Sequence, residues 1–370
     1  MSGAAVGVLI AAVGMRVFSS AAAAPPWARA SGRGVAAWIG VVVLTALVAI
    51  AVHEGGHALG GRLAGFQLVA FVVGPVQLVR GNAGGRLGLN RHIQHVGGLV
   101  VCAPTTWTGA ADFRRAFRWF AAAGPLTSLV VGAVAMAAAA SGTPGSLWTS
   151  ILFVGGLISL ACGVGTLVPF HMAAGFYSDG AQVLRFREPN ARAGKRLGPL
   201  AEISALTMFA QTQPPREWDA ELVATVGGIT EQTELGVTAR ILRYHLALDR
   251  GDVADARDVL QGTIDAAATL ATATADRTRG LLAVEAAVFE GVWRRDAGAA
   301  RRWLERAGRV AALDPVGRLL AMAGMAAAEG ADGDARHMLD RAAKVARHST
   351  FPSAALLCAP TVERLDAALE

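Results

Sequence analysis

Three uninterrupted apolar stretches dominate the first half of the chain, over residues 36–59, 116–140 and 147–169. Each is long enough to cross a hydrocarbon layer of about 30 Å, which takes roughly 20 helical residues. A fourth apolar stretch, residues 3–24, contains Arg16 and is closed by Pro25 and Pro26. Lacking the basic start of a secretory leader, it is expected as a further membrane helix and not as a cleaved segment. The six residues Ser141 to Ser146 form an uncharged turn between the last two spans. Between the spans at 36–59 and 116–140 the pattern changes. Phe66 to Arg80 is rich in Val, Leu and Phe and is broken by Gly74 and Pro75, which reads as short strands. Gly81 to Gly88 reads as a turn-rich connection, and Gly97 to Cys102 as a second short apolar stretch. A small sheet at the membrane surface is expected, since non-helical backbone at this depth must be paired within the protein or wet.

From about residue 200 the pattern is that of Ala-rich amphipathic helices. Asp249 to Leu260, Arg295 to Leu304 and Glu329 to Leu339 each carry an Ala-Arg pair followed by Leu, at Ala256-Arg257, Ala300-Arg301 and Ala335-Arg336. Each follows another helical segment across a short Gly or Asp turn. The offsets between the pairs bracket helix-hairpin repeat lengths, so a tetratricopeptide-like solenoid is expected, with an irregular Ala-rich bundle as the alternative. The fold class expected is therefore mainly α. A polytopic membrane-helix core, of three core spans and four in all, carries a small membrane-surface β element in residues 1–199. A soluble helical, TPR-like domain follows in residues 200–370.

Composition sharpens this division. Hydrophobic residues make up 53% of the chain and charged residues only 17%, too apolar for an ordinary soluble protein. Residues 1–200 hold fifteen basic and four acidic residues, a net of +11, and the remainder nineteen basic and twenty-four acidic, a net of −5. The basic residues of the first half flank apolar runs without interleaved aromatics, which argues for orientation in a bilayer and against nucleic acid. Arg80, Arg86, Arg91, Arg114 and Arg115 precede the span at 116–140, and Arg185, Arg187, Arg192, Lys195 and Arg196 follow the span at 147–169. Both groups are expected on the cytoplasmic side, although Arg29 and Arg33 fall opposite. Cys102, Cys162 and Cys358 are odd in number and widely spaced, and are read as buried free thiols.

The chemistry lies at the end of the first long apolar run, in His53-Glu54-Gly55-Gly56-His57. Histidines at i and i+4 share a helix face and reach one metal ion. The glutamate between them is offset, so that it reaches a water on the metal without ligating it. A carboxylate at the end of a membrane span is costly and rare without a partner or a task. A tetrahedral catalytic zinc needs a third protein ligand. The other carboxylates of the membrane half are Asp112, Asp179 and Glu188. Asp112 precedes Arg114 and Arg115 at a helix start, where the helix dipole favours an acid. Asp179 follows Pro169 and His171 in a segment where Gly175 and Gly180 let the chain fold back, and it is the expected ligand. His171, His92 and His95 are read as solvated, and Gly60, Gly61 and Gly65 as sites of close helix packing.

On these residues the chain resembles the site-2 protease family of intramembrane metalloproteases. His53-Glu54-x-x-His57 is similar to its zinc motif, Ala123-Gly124-Pro125-Leu126 to the Gly-Pro of its middle core helix, and Pro169 with Ser178-Asp179-Gly180 to its Asp-Gly motif. The likeness covers roughly residues 36–187, with the motifs in the family's order. It implies Zn2+ held by His53, His57 and Asp179, with Glu54 as general base. Thr166 stands where family members often carry Asn, and the gap from proline to aspartate is longer than usual. The loop from Gly61 to Arg115 is too short for an inserted PDZ domain, and nothing beyond residue 200 resembles a CBS pair.

The expected activity is metal-assisted hydrolysis of peptide bonds in membrane-associated proteins. The bilayer is the solvent, a membrane protein the substrate, and a further protein a partner of the helical domain. An opened substrate segment is expected to pair with the strands around Phe66 to Leu78. The alternative is an inactive membrane scaffold recruiting partners through its helical repeats, against which the intact Glu54 argues. A transporter is a weaker rival.

Overall fold

The computed structural model describes residue 25 and residues 31–81, 84–90, 97–171, 177–187, 199–272 and 274–370. The expected span over 3–24, His92, His95, Arg29, Arg91, Gly175, Glu188, Arg192, Lys195 and Arg196 lie outside them. The chain divides into two compact units, Met1–Arg192 and Ala193–Glu370.

The first unit is built on three helices long and apolar enough to cross a membrane: α1 (Gly32–Leu63), α2 (Ala110–Ala140) and α3 (Leu147–Leu167). Ser31 starts α1 and Ser146 starts α3, each side chain accepting a backbone N–H three residues on. All three helices pack against one another. Their polarity is inverted relative to a soluble bundle. Val35, Ile39, Val43, Leu44 and Val48 form an exposed stripe along α1, while Ser128, Ser150 and Ser159 are buried between helices. Such a surface suits lipid, and small polar residues suit close helix contacts inside it. Trp119 and Trp148 are largely exposed on α2 and α3.

Between α1 and α2 lies an antiparallel sheet of β1 (Phe66–Val73), β2 (Val76–Gly81), β3 (Gly84–Leu89) and β4 (Leu99–Pro104), in the order β3-β2-β1-β4. β1 pairs with β2 across Gly74 and Pro75, with Val73 opposite Val76. Gly81 to Gly88, expected as a connection, is mostly strand: β3 pairs with β2 from Val76–Leu89 to Gly81–Gly84. Three glycines and the exposed Leu87 and Leu89 hid it, because the side chains that usually announce a strand are missing or face outward. β1 and β2 are the interior strands, β1 pairing with β2 over Ala70–Val73 and with β4 over Phe66–Val72. The fold is thus mainly helical with a small antiparallel sheet.

The second unit is helical throughout its described residues. It comprises α5 (Leu200–Phe209), α6 (Ala220–Gly227), α7 (Glu234–Asp249), α8 (Val253–Ala268), α9 (Ala275–Val288), α10 (Ala297–Ala307), α11 (Pro315–Ala328), α12 (Asp332–Arg347) and α13 (Ser353–Leu369). The seven-residue α4 (Asp179–Arg185) belongs to the first unit. Pairs α7–α8, α9–α10 and α11–α12 pack as consecutive helices joined by short segments. In the second helix of each pair the alanine of the Ala-Arg motif is buried, at Ala256, Ala300 and Ala335, and the arginine after it is exposed. A π-turn over Phe289–Trp293 and a 3-10 segment over Gly308–Leu313 interrupt the pattern. Residues from separate helices, including Tyr244, Ala256 and Phe289, close one part of the core, and Leu320, Ala335 and Leu365 another.

Candidate metal centre

His53, Glu54 and His57 lie near the C-terminal end of α1, all three buried. The imidazoles, one helical turn apart, meet edge to face with ring centroids 4.8 Å apart. α2 sets both. The Nδ1–H of His57 donates to the Phe120 carbonyl at 2.8 Å, and Nδ1 of His53 is 3.0 Å from the hydroxyl of Ser128. Phe120, Gly124 and Ser128 fall at i, i+4 and i+8 on one face of α2. A side chain at Gly124 would occupy the place of the His57 ring, so only glycine lets the two helices approach here. Gly60 packs on Ala123, as expected, and Gly61 meets Cys102 and Phe120. A side chain at Gly65 would meet nothing within 4 Å, and the residue instead takes a positive φ of 83° just beyond the end of α1: it is a turn residue, not a packing one.

Asp179 arrives from elsewhere in the unit. It is the first residue of α4, and its neighbours explain its placement. The Ser178 hydroxyl accepts from Ala181 N–H and Phe170 N–H and donates to the Val168 carbonyl at 2.7 Å, tying the start of α4 to the end of α3. Gly180, expected as a turn residue, is helical, and any side chain there would strike the Leu167 carbonyl. The Ser-Asp-Gly sequence therefore reads as cap, ligand candidate and contact point.

The result is a triangle of donor atoms. Nε2 of His53 is 3.3 Å from Nε2 of His57, Oδ2 of Asp179 is 3.3 Å from the first, and Oδ1 is 3.4 Å from the second. A carbonyl only accepts, so the hydrogen of neutral His57 sits on Nδ1 and its Nε2 lone pair faces the triangle. Among the described residues these three form the one group of His, Cys, Asp or Glu side chains close enough to share a metal ion. Glu54 stands beside them, its carboxylate packed against Gly98 so closely that a side chain at Gly98 would collide with it.

The other candidates lie outside the triangle. Asp112 is an exposed acid in the first turn of α2. His171 forms an isolated bridge with Tyr177, their rings 4.4 Å apart. The Thr166 hydroxyl is enclosed and has no hydrogen-bond partner among the described residues. Of the three free thiols only Cys102 is buried, and burial raises it to about 12; Cys162 and Cys358 are half-buried, because each helix carrying them leaves that face only partly covered. Sequence reasoning missed Ser128, the Phe120 carbonyl and Gly98. Nothing in their spacing from His53 marks them, although Phe120, Gly124 and Ser128 share a helical period around the Gly-Pro motif.

Compared with family models, curated proteins and solved structures, the chain matches none.

Proposed function

We propose that the chain is an intramembrane zinc metalloprotease of the site-2 protease type, with His53, His57 and Asp179 as metal ligands and Glu54 as general base. The observation that carries this reading is the donor triangle. Two imidazole Nε2 atoms and a carboxylate face one another, and such a group needs positive charge between its members. Protons would do this through charge-assisted hydrogen bonds, which close to about 2.7–2.9 Å. The edges are longer, 3.3–3.4 Å. In a tetrahedron the edge is about 1.63 times the bond, so zinc bonds of about 2.0–2.1 Å give edges of about 3.3–3.4 Å; the two Nε2 atoms are 3.3 Å apart, and each lies 3.3–3.4 Å from a different oxygen of Asp179, one of which must turn inward to ligate. The residues present fit zinc, and three protein donors leave a fourth position for water.

Zinc bound there would supply a Lewis acid and lower the pKa of a water to near neutrality. Glu54 takes the proton from the water that attacks the scissile carbonyl and returns it to the leaving amine nitrogen. His53 and His57 are held at their Nδ1 atoms, so their Nε2 atoms stay aimed at the centre without rearrangement. The enclosing helices exclude bulk water, and the 21% exposure of the Asp179 side chain leaves a path for the reacting one.

Arg80 and Arg86 lie between α1 and α2, Arg114 and Arg115 near the start of α2, and Arg185 and Arg187 follow α3. With three crossings these groups share one side, and positive charge assigns that side to the cytoplasm, together with the second unit. The three helix pairs of that unit, with their repeated buried Ala and exposed Arg, support a tetratricopeptide-like role in holding a protein partner. Metal analysis of the purified protein, with cleavage of a model membrane-helix substrate by the native chain and by Glu54→Gln, tests the central reading. Glu54→Gln should keep one zinc per chain and lose cleavage. Absence of zinc from the native protein, or undiminished cleavage by the variant, would refute it.

A further inference from the structure

In the second unit the end of α7, the π-turn, the end of α11 and one face of α13 enclose a cleft of about 580 Å3, within the range of ligand sites. Its floor is apolar, with Leu248, Val292, Ala327 and Leu365. Its rim carries Arg250, Arg295 and Arg364. None of the three has a carboxylate partner among the described residues, whereas Arg216, Arg243, Arg294 and Arg301 each have one. Of the two acids in the wall, Asp249 is engaged by the backbone N–H of Arg216 at 2.7 Å and its guanidinium at 3.4 Å, which leaves Glu363 against three arginines. Residues 201–370 carry a net −5, so composition does not account for a basic rim at this place.

The backbone is unusual at the same place. Arg295, with φ 54°, is the one non-glycine residue of positive φ among the described residues. Such conformations persist where surrounding structure imposes them, and they gather at ligand sites. It lies two residues beyond the end of the π-turn, a feature that also concentrates at functional sites. The π-turn carries Trp293, over whose ring the Arg364 guanidinium sits at 4.9 Å, and the indole N–H has no acceptor among the described residues.

We propose that this cleft binds acidic peptide segments, with carboxylates on the arginine rim and an apolar side chain between them on the floor. The three arginines come from separate elements around an apolar centre, so they suit spaced carboxylates and not the single convergent point a phosphate requires. The proposal does not depend on the metal chemistry.

The test uses the full chain in nanodiscs of uncharged phosphatidylcholine and a fluorescein-labelled pool of octapeptides in which Asp or Glu alternates with Leu, Val or Phe. Fluorescence anisotropy should show saturable binding that weakens with salt. It should weaken at least tenfold for a pool with Asn and Gln in place of the acids. A comparable loss is expected in the double variant Arg250→Ala, Arg364→Ala, with Arg364→Lys intermediate and helical content unchanged by circular dichroism. Equal binding of both pools, unchanged binding by a folded double variant, or no saturation below millimolar peptide would each overturn the proposal. Displacement of the peptide by equimolar inorganic phosphate, or by vesicles containing phosphatidylglycerol, would reassign the cleft to a small anion or a lipid headgroup and overturn it equally.

Discussion

Removal of the Ser128 hydroxyl should weaken the proposed metal centre without touching a proposed ligand. Ser128 is fully buried on α2, and its oxygen is 3.0 Å from Nδ1 of His53. If His53 ligates through Nε2, its hydrogen lies on Nδ1 and Ser128 accepts it. In Ser128→Ala that N–H stays buried with nothing to bond, at a cost of about 1–3 kcal/mol. The imidazole can avoid the cost only by turning, which moves Nε2 off the triangle. Either way the loss falls on the metal-bound state, and at 1.4 kcal/mol per decade it corresponds to roughly 10- to 100-fold in zinc affinity. The assay is competition for zinc against a chelator of known affinity, on protein whose thermal transition is recorded alongside. Ser128→Thr, which keeps the hydroxyl, should recover most of the affinity. Unchanged zinc affinity in a folded Ser128→Ala protein would show that the hydrogen bond does not orient the ligand, and the tautomer argument for His53 would fall with it.

Three further outcomes follow from the same geometry and from the second unit. Asp179→Ala should lose zinc, measured as bound metal per chain, while Asp112→Ala and His171→Ala retain it; zinc lost from His171→Ala alone would make the bridge with Tyr177 part of the centre. Gly180→Ala should also lower zinc occupancy by tenfold or more, since its new methyl displaces the start of α4 from the Leu167 carbonyl, and full occupancy would show that Asp179 does not depend on that contact. In the second unit, burial holds His245 at about 4, and its Nδ1 has no hydrogen-bond partner among the described residues. At this group the unfolded chain binds more protons than the folded one between about pH 6.5 and 4, so its contribution to stability falls by up to about 3 kcal/mol on acidification through that window, while Glu285, 3.6 Å from its Nε2 and pushed up to about 8 by burial, works in the opposite sense from about pH 8 to 4.5. Hydrogen exchange of the full chain, corrected for intrinsic rates, should show α7 protection falling between about pH 6.5 and 4 relative to His245→Leu; equal pH dependence in both proteins would refute the assignment.

What the sequence showed and what it hid divide along physical lines. Bilayer thickness sets a length that no soluble helix needs, so α1, α2 and α3 stood out from hydropathy alone. The i, i+4 spacing of His53 and His57 is a property of one helix, and the chain carries it locally. Gly180 and Gly65 were misjudged for a common reason: a glycine signals either a backbone turn or a close approach, and only the neighbour in space decides. Gly180 has the Leu167 carbonyl against it, and a side chain at Gly65 would meet nothing within 4 Å. β3 failed for want of side chains, since a strand with three glycines leaves little pattern to read. Ser128 and the Phe120 carbonyl belong to a helix more than sixty residues from His53, and no local signal joins them.

The site has a division of labour that bears on how it would work. Both imidazoles are fixed by one helix pair: the α1–α2 contact runs through Gly56 and Gly60 against Ala123 and Thr127, and the same face of α2 supplies both Nδ1 partners. Backbones this close leave the pair little freedom to part. The carboxylate is held from two sides: Ser178 and Gly180 tie the start of α4 to Val168 and Leu167 at the end of α3, and Phe186 just beyond α4 packs on Phe113 and Phe117 of α2, the rings of Phe117 and Phe186 4.2 Å apart. The His53–His57 edge is internal to α1, whereas the two edges to Asp179 join α1 to α4. The proposed metal centre is therefore complete only while α2 and α3 together hold the start of α4 against α1.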